Sequence, residues 1–487
     1  MITHRRTILA FAAGLALLAL AACTFPGAGV SVSFTSHQDH ESVYGSRSVT
    51  VAGKVTGATP DAFALTLDGT DVPSATLSGG IFSAPVTLAD GENVLVASAR
   101  AAGFTYTATL RLTYPFLALS DGQAADAVMG ARNFTTAPTA RQTDIDLLYR
   151  PVGAPALVGD HLYIPDSGNN RVVGYTSLPS APTGANFDIL LGKNAADWTN
   201  GTLDAVSATT FAAPARVTAA GSRLVVADTA NNRVLLFAGA PTFNSAGASV
   251  VVGQAGMATN GDTRCVGDRL EAPGAVFVAD GKLIVVDTGH NRVLVWNAVP
   301  TTNPVGDADL VLGQANLTSC AANRGATAPT AATLDHPGDA WSDGTRLVVA
   351  DSGNDRVLIW NAFPTAADKA ADRVIGSTAL TTVGSGSDDR YGLIDPASVS
   401  SNGNQIFVAD TGHHRVLVWD GFPTTSGAPA GRVLGQADLT SVDANRGDPN
   451  AARNTLSGPQ GVRAFDGFLI VADTGNSREL LYRPATP

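Results

Sequence analysis

A segment of fourteen residues recurs six times along the 487-residue chain, and each copy ends in a large aromatic residue. Two of the copies are "LIVVDTGHNRVLVW", which ends at Trp296, and "IFVADTGHHRVLVW", which ends at Trp419. The aspartates of the six copies recur about every 60 residues and are Asp166, Asp228, Asp287, Asp351, Asp410 and Asp473. Because an active site normally occurs once in a chain, this period predicts repeated structural units such as propeller blades or solenoid turns.

Further segments with strand character flank each copy. A proline-led segment precedes it, as in "APARVTAAGS", and a proline-bearing turn with a short apolar run such as "VVVGQ" follows the first five copies. Each repeat therefore supplies four antiparallel strands, which is typical of a propeller blade. The 51 glycines, 26 prolines and 15% charged residues also favour short strands joined by turns. We therefore expect an all-β fold.

The count of strands predicts how the repeats close on themselves. The sixth copy ends at its third strand, since only "RPATP" follows Tyr482. A segment of the fourth-strand type, "AVMGARNF", precedes the first copy at residues 127–134. We expect this N-terminal strand to complete the last blade and to close a six-bladed β-propeller over residues 120–487 without open sheet edges.

The repeated motif has a known counterpart. "P-x-G-V" leading into "LxVADTGNxRVLVW" resembles the NHL-repeat family of six-bladed propellers, and the resemblance extends over residues 120–487. It implies the fold more firmly than the function, because the family includes protein-binding modules, sensor domains and a few lyases. The amidating lyases of the family hold a metal with several channel histidines, whereas this chain offers one candidate at a comparable position. We therefore expect no metal and no other cofactor.

The turn of each copy invites a structural and a functional interpretation. In "VADTGNNRV" the Asp, Gly and Asn residues suit a tight turn, and the arginine suits a carboxylate or carbonyl partner within the fold. The alternative is a Ca²⁺ loop, but one Asp per turn supplies too few of the six to eight oxygens that calcium takes. His290, His413 and His414 replace Asn in these turns, so we expect surface turn residues rather than metal ligands.

The N-terminus resembles a bacterial lipoprotein signal. Basic residues at 4–6 precede an apolar run and the sequence "LAAC", which ends at Cys23. The resemblance implies a signal peptide at residues 1–22, lipid on Cys23 and a tether at residues 23–30. An ordinary secretory signal with a chance cysteine is the alternative. Thr24 after the cysteine favours the outer membrane, so we expect a lipid-anchored protein of the bacterial cell envelope.

A second β domain is expected between the tether and the repeats. Residues 31–115 alternate apolar and polar residues in short runs separated by turns, which predicts a small β-sandwich. The stretch "LSGGIFSAPVTLADGENVLVASA" is similar to bacterial immunoglobulin-like domains of surface proteins. We expect this domain to act as a spacer.

Charge and cysteine content restrict the partners and the compartment. The net charge of −11 leaves no basic surface for a phosphate backbone, so nucleic acid is not expected as a partner. If Cys23 carries lipid, Cys265 and Cys320 remain as a possible disulfide in an oxidising compartment. Two unrelated free thiols are the alternative.

The candidate ligand site lies where the repeats differ from one another. The residue before each strand-leading proline, and the residue two positions after that proline, should surround the channel mouth, and both vary among the repeats. The polar members of these positions, which we expect to bind a ligand, are Arg150, Arg216, His336, Asp339 and Asp395. The arginines suit a carboxylate, and the acids suit a cationic or hydroxylated group. The alternative is a set of solvated rim residues paired with one another.

Three functions remain open on this evidence. We expect a binding protein that presents a ligand or protein surface, with an envelope protein or a small extracellular ligand as its partner. The runner-up is a propeller-type lyase or hydrolase that acts on a small extracellular substrate, and a structural scaffold is the third. No residue of the chain is assigned a catalytic role, because no serine elbow, paired-carboxylate motif, phosphate loop or zinc spacing appears.

Overall fold

A computed structural model of the protein describes residues 30–43, 47–57, 59–137, 144–193 and 203–484, which form strands, turns and short 3-10 helices. The predicted signal peptide, the lipidation site at Cys23 and most of the tether lie outside these residues. Within the described ranges, none of the helices has the length and hydrophobicity needed to cross a membrane. The chain divides into two compact units, Met1–Ala118 with Asn402–Asn404, and Leu119–Ser401 with Gln405–Pro487.

The first unit contains two antiparallel sheets with one edge strand paired in parallel. Its strands are β1 (Ser31–Phe34), β2 (Glu41–Ser42), β3 (Ser48–Thr56), β4 (Ala62–Leu67), β5 (Thr70–Asp71), β6 (Thr76–Ser78), β7 (Ile81–Thr87), β8 (Gly91–Ala101) and β9 (Phe104–Tyr114). The strand orders are β1-β3-β7-β6 and β2-β9-β8-β4-β5, with β2 parallel to β9. Every second residue of β7 is buried, and Phe82 of that strand shares one apolar core with Leu95 and Leu110 of the other sheet.

In the part of the second unit that the structure describes, there are six four-stranded antiparallel sheets. Sheet 6 is formed by β10 (Ala127–Met129), β31 (Gly461–Phe465), β32 (Phe468–Asp473) and β33 (Arg478–Tyr482), and sheet 1 by β11 (Ala156–Val158), β12 (His161–Asp166), β13 (Arg171–Tyr175) and β14 (Ile189–Leu191). Sheet 2 contains β15 (Pro214–Ala220), β16 (Arg223–Asp228), β17 (Arg233–Leu236) and β18 (Val250–Val252), and sheet 3 contains β19 (Ala275–Ala279), β20 (Lys282–Asp287), β21 (Arg292–Trp296) and β22 (Leu310–Leu312). Sheet 4 contains β23 (Asp339–Ser342), β24 (Leu347–Asp351), β25 (Arg356–Trp360) and β26 (Arg373–Ile375), and sheet 5 contains β27 (Pro396–Ser401), β28 (Ile406–Asp410), β29 (Arg415–Trp419) and β30 (Arg432–Leu434).

The second and third strands of each sheet are the two halves of the repeated segment. They are buried on both faces, which is why they consist of continuous apolar runs instead of alternating residues. Short 3-10 turns join them in five sheets, at Ser167–Asn169, Thr229–Asn231, Thr288–His290, Ser352–Asn354 and Thr474–Asn476. Two further 3-10 turns, Ala322–Gly325 and Ala444–Gly447, lie in the connections that follow sheets 3 and 5.

The last sheet combines the two ends of the second unit, as the sequence predicted. Strand β10 pairs antiparallel with β33, with Val128 opposite Leu480, and β33 continues into β32 and β31. The last strand of the chain therefore has a neighbour on each side, and its polar backbone groups are paired instead of lying at an open edge.

Neighbouring sheets are in contact through their first strands. Strand β11 contacts β15, and the series continues through β19, β23, β27 and β31. Between sheets 6 and 1, the Gly153 backbone N–H donates to the Gln460 carbonyl at 3.1 Å. A Cβ on Gly153 would lie 1.8 Å from the Ala215 carbonyl oxygen, so only glycine permits this close approach of backbones. The contacts between first strands thus form a closed cycle.

Candidate ligand-binding site

The aspartate of each repeat is a buried acceptor for several donors. Asp166 accepts the Tyr149 backbone N–H at 2.7 Å, the Asn169 amide at 2.8 Å and Arg171 Nε at 2.7 Å. The same arginine bond recurs at 2.7 Å in all six repeats. Each arginine also donates to backbone carbonyls, as Arg171 does to Leu147 at 3.0 Å. These contacts support the structural interpretation of the repeated Asp and Arg.

The residue after each aspartate connects one sheet to the next. The Ser167 hydroxyl of sheet 1 donates to the carbonyl of Pro214, the leading proline of sheet 2, at 2.6 Å. The five remaining hydroxyls make the same bond to the next leading proline, in the pairs Thr229–Pro273, Thr288–Pro337, Ser352–Pro396, Thr411–Pro459 and Thr474–Pro151. The series ends where it began, because Thr474 of sheet 6 bonds Pro151 of sheet 1 at 2.6 Å.

The residue before each repeated arginine makes a second connection between sheets. Asn170, in the left-handed conformation, accepts the Ala213 backbone N–H at 2.9 Å. The equivalent acceptor and donor pairs are Asn232–Ala272, Asn291–His336, Asp355–Asp395, His414–Gly458 and Ser477–Arg150. The residue before each leading proline is therefore held through its backbone N–H.

The prediction that His290 and His413 are surface residues is wrong. They are 3% and 2% exposed, because each occupies the Asn position three residues after its aspartate and bonds that carboxylate at 2.9 Å. Burial lowers the pKa of His290, but the hydrogen bond and charge of Asp287 outweigh burial and raise it above its ordinary value. His414 is half-buried, and burial lowers its pKa. Among the described residues, no three His, Cys, Asp or Glu side chains lie together as metal ligands would.

Three of the five predicted site residues lie at exposed positions around the first strands. Arg150, His336 and Asp395 have φ angles of 48°, 42° and 48° and are exposed. His336 Nδ1 lies 2.5 Å from the carboxylate of Asp335. Partial burial and the charge of Asp355 raise the pKa of Asp395. Within the described residues, no hydrogen bond or ion pair joins any two of these three side chains.

The other two predicted residues form a buried ion pair. Arg216 of sheet 2 and Asp339 of sheet 4 are 1% and 2% exposed, and Arg216 Nη1 donates to Asp339 Oδ2. The same oxygen accepts the Ser398 hydroxyl at 2.6 Å and the Val399 backbone N–H at 3.2 Å. Arg216, Asp339 and Ser398 occupy the equivalent position of three different first strands, so this cluster spans the centre of the cycle of sheets. The sequence predicted both residues as polar contacts at the channel mouth, and in the structure they are buried and paired with each other.

A cavity of about 270 Å³ opens beside this ion pair. Its lining consists mainly of glycine, alanine and threonine from the beginnings of the first strands and from the turns. The lining residues are Val152, Gly153, Ala215, Arg216, Thr229, Ala272, Gly274, Ala275, Thr288, Gly338, Asp339, Ala397, Ser398 and Gln460. Small residues at these positions leave the space open, and Arg216, Asp339 and Ser398 supply charged and polar atoms in its wall.

Arg463 is a second central arginine that the sequence analysis missed. Its guanidinium lies 4.8 Å from the ring centre of Phe277, which belongs to another first strand. Burial and the charge of Arg216 lower the pKa of Arg463 to about 9. The signal was present in the sequence. Four residues after the leading proline the six repeats carry Pro155, Thr218, Phe277, Trp341, Ser400 and Arg463, so one repeat alone has a charge there.

The predicted disulfide is present between the connections that precede sheets 3 and 4. Cys265 and Cys320 are bonded, with a Cα–Cα distance of 6.1 Å and a sequence separation of 55. The carbonyl of Cys320 accepts the Asn291 amide at 3.0 Å. The cross-link thus joins two long connections near the turn of sheet 3.

Comparisons with known proteins identify the repeat and otherwise report structural likeness. Residues 393–419 match the model of the NHL repeat, a segment that contains the first three strands of sheet 5. No curated protein matches the chain.

An auxiliary nutrient binding protein from Bacteroides thetaiotaomicron is 10% identical, covers 93% of this chain and 98% of its own, and has a TM-score of 0.40. One from Bacteroides ovatus is 12% identical, with 93% and 99% covered and a TM-score of 0.39. An aldose sugar dehydrogenase from Streptomyces coelicolor is 14% identical, with 72% and 99% covered and a TM-score of 0.38. The chain therefore contains an NHL repeat. Its own structure is all-β, with many four-stranded sheets.

Proposed function

We propose that the protein is a lipid-anchored binding protein of the bacterial cell envelope, whose residues 120–487 form a six-bladed propeller of the NHL type that binds a small extracellular ligand or an envelope protein at its centre. Residues 31–115 form an immunoglobulin-like spacer, and residues 23–30 form the tether. The closed series of hydroxyl-to-proline bonds and the pairing of β10 with β33 support the ring of six blades.

One observation carries the binding function: the Asp, the Arg and the hydroxyl that hold the fold recur in every repeat, whereas the residues that border the central cavity differ. The Asp, the Arg and the hydroxyl keep their contacts in every repeat, whereas the position two residues after the proline reads Gly153, Arg216, Ala275, Asp339, Ser398 and Gly461. A fold of equivalent sheets needs no such asymmetry. An asymmetric ligand does, and clefts with a few convergent polar groups are where ligands bind.

Closing the cavity tests this proposal. Ala275 lines it, and the equivalent position in sheet 2 accommodates an arginine, so Ala275→Leu should fill the space while the sheet still forms. We expect small molecules found by a thermal-shift screen of the full chain to lose at least about tenfold in affinity, the equivalent of 1.4 kcal/mol. Thr301→Leu, on the exposed surface of the same repeat, is the matched control and should bind normally. Equal binding by the Ala275→Leu and control proteins would place the ligand elsewhere.

Anchoring has its own test. Cys23→Ser removes the thiol that would carry lipid, so the variant should leave the membrane fraction of the producing cells. A variant that stays fully with the membranes would refute the lipid anchor without bearing on the central cavity.

A further inference from the structure

The guanidinium of Arg216 is only partly satisfied by the protein. Nη1 donates to Asp339, whereas Nε and Nη2 have no hydrogen-bond partner among the described residues. The residue is 1% exposed, and a buried donor without an acceptor is unfavourable, more so when it is charged. Such a group in a native fold calls for an explanation, and a missing acceptor is the simplest one.

The nearby carboxylate of Asp339 already accepts hydrogen bonds from several donors. Asp339 Oδ2 accepts Arg216, Ser398 and the Val399 N–H, and its Oδ1 accepts the Ala340 N–H at 2.8 Å. Asp339 therefore cannot also satisfy the other edge of the guanidinium.

The centre of the cycle also carries an excess of positive charge. Arg463 interacts electrostatically with both Arg216 and Asp339, so two cations face one anion. Nε and Nη1 of Arg463 likewise lack a partner among the residues described. A single additional negative charge would balance the three groups, and in a buried site it would be screened much less than at the surface.

The two vacant donors of Arg216 have a specific shape. Nε–H and the adjacent Nη2–H point in parallel from one edge of the planar guanidinium, which matches the two oxygens of a carboxylate. A planar ligand group can thus form two parallel hydrogen bonds while Nη1 keeps Asp339. The cavity that Arg216 lines is about 270 Å³, below the roughly 300–1,000 Å³ of sites for drug-sized ligands.

We propose that the central cavity binds a small organic carboxylate, whose two oxygens accept Nε–H and Nη2–H of Arg216 while Arg463 balances the charge. The inference rests on the proposed function and specifies its ligand class. The glycine and alanine walls leave room for a compact, uncharged remainder of the ligand.

The test compares matched acids and amides on the purified full chain. Acetate, propionate and benzoate are titrated by calorimetry beside acetamide, propionamide and benzamide, with inorganic phosphate as a tetrahedral anion. We expect at least one acid to bind with at least about tenfold higher affinity than its amide and than phosphate, because only the planar anion fits the fork. An amide or phosphate that binds as tightly as the best acid would overturn the inference.

Two variants connect the binding to Arg216. Arg216→Lys keeps the charge and loses the fork, so the acid should bind at least about tenfold more weakly. The double variant Arg216→Gln with Asp339→Asn removes both charges of the pair without stranding either one, and it should abolish acid binding. Circular dichroism and thermal unfolding establish that each variant is folded. Unchanged acid affinity in either folded variant would contradict the inference.

The outcomes separate this inference from the function on which it rests. If uncharged compounds bind and Ala275→Leu blocks them, the central binding site stands and the carboxylate inference fails. If no acid, no amide and no compound of the wider screen binds the folded chain, both fail. Acid binding that Ala275→Leu and Arg216→Lys each weaken supports both.

Discussion

The repeated aspartate explains at the scale of single residues why the same sequence is present six times. Asp228 accepts the Ala212 N–H, the Asn231 amide and Arg233 Nε, so it fixes the turn, the start of the next strand and the preceding connection together. The side chains of Asp228 and Arg233 are both fully buried. A buried charge that loses its partner is unfavourable. This explains why both the Asp and the Arg are present in all six repeats.

Removal of one such carboxylate should be severe. We expect Asp228→Ala to lower the free energy of unfolding by about 3–5 kcal/mol, because Arg233 would remain buried without its anion. Asp144→Ala provides the control: its partner Arg132 is 61% exposed, and exposed pairs contribute at most about 1 kcal/mol. Urea denaturation of both variants measures the difference. Similar losses in the two proteins would contradict the structural role of the repeated pair.

Glu479 is the residue at which the sixth repeat departs from the other five. The equivalent position is valine in the rest, at Val172, Val234, Val293, Val357 and Val416. Glu479 is fully buried, neither carboxyl oxygen has a partner within the described part of the chain, and burial raises its pKa well above the ordinary value. Burial therefore favours the protonated form of this carboxyl group.

The raised pKa gives a pH dependence with a definite sign. The unfolded chain releases this proton near pH 4.3. The contribution of the protonated carboxyl group to the free energy of unfolding is therefore complete below that pH. It is lost at about 1.4 kcal/mol per pH unit as the pH rises toward the folded pKa of Glu479. We expect Glu479→Val to stabilise the protein, and to do so by more at pH 7 than at pH 5. Glu479→Gln is the matched control, since it removes the titration but keeps a buried polar group. An advantage of Val over wild type that is the same at both pH values would refute this account.

Local residue patterns predicted the turns but could not predict the central ion pair. The Asp, Gly and Asn signals act within a few residues, so the hairpins follow from the sequence. Arg216 and Asp339 are 123 residues apart, and their contact depends on how six sheets converge. Variability among the repeats therefore pointed to both residues as ligand contacts, but it did not show that they are buried and paired with each other. Burial of His290 and His413 was missed for a related reason. Both Asn and His are compatible with a turn, and only the bonds of the histidines to Asp287 and Asp410 show that they are buried.

At the scale of elements, the three-residue strand β10 has an important structural role. It covers β33, and the carbonyl of Phe134, a few residues later, accepts Arg478 Nη1. The two ends of the second unit are thus connected by the pairing of β10 with β33 and by a hydrogen bond of the repeated arginine. Counting strands was sufficient to predict this pairing, because an unpaired edge is unfavourable and one strand was missing at one end and surplus at the other.

Deletion of that strand should affect the whole second unit. We expect a chain without residues 124–134 to unfold at a markedly lower temperature, because β33 would become an open edge. A chain without residues 31–115 is the control and should keep the melting transition of the propeller. If a chain that begins at residue 136 melts like the intact second unit, β10 does not close the ring.

The disulfide stabilises connections instead of sheets. Cys265 and Cys320 close a loop of 55 residues in sequence, and we expect the double Cys→Ser variant to lose about 2–4 kcal/mol of unfolding free energy. Thiol titration of the denatured, unreduced wild-type protein should find neither thiol free. Detection of both thiols would show that the bridge does not form in the protein as produced.

At the scale of the whole second unit, the equivalent bonds between sheets make the asymmetry of the centre informative. The hydroxyl-to-proline bond and the bond at the following turn residue occur at every junction between sheets, including the junction from sheet 6 to sheet 1. The bonds between neighbouring sheets are thus nearly uniform. The central polar side chains are not, because each comes from a different sheet; they are Arg216, Asp339, Ser398 and Arg463. Composition and motif could predict the scaffold, but the ligand class depends on which donors remain unpaired, and that required coordinates.

A crystal structure of the full chain, grown with the tightest ligand of the binding screen, tests the central claim most directly. The account predicts ligand density in the cavity lined by Ala275 and Gly338, within hydrogen-bond distance of Nε and Nη2 of Arg216. Ligand density on the long connections around Cys265 and Cys320, with the central cavity left empty, would contradict it.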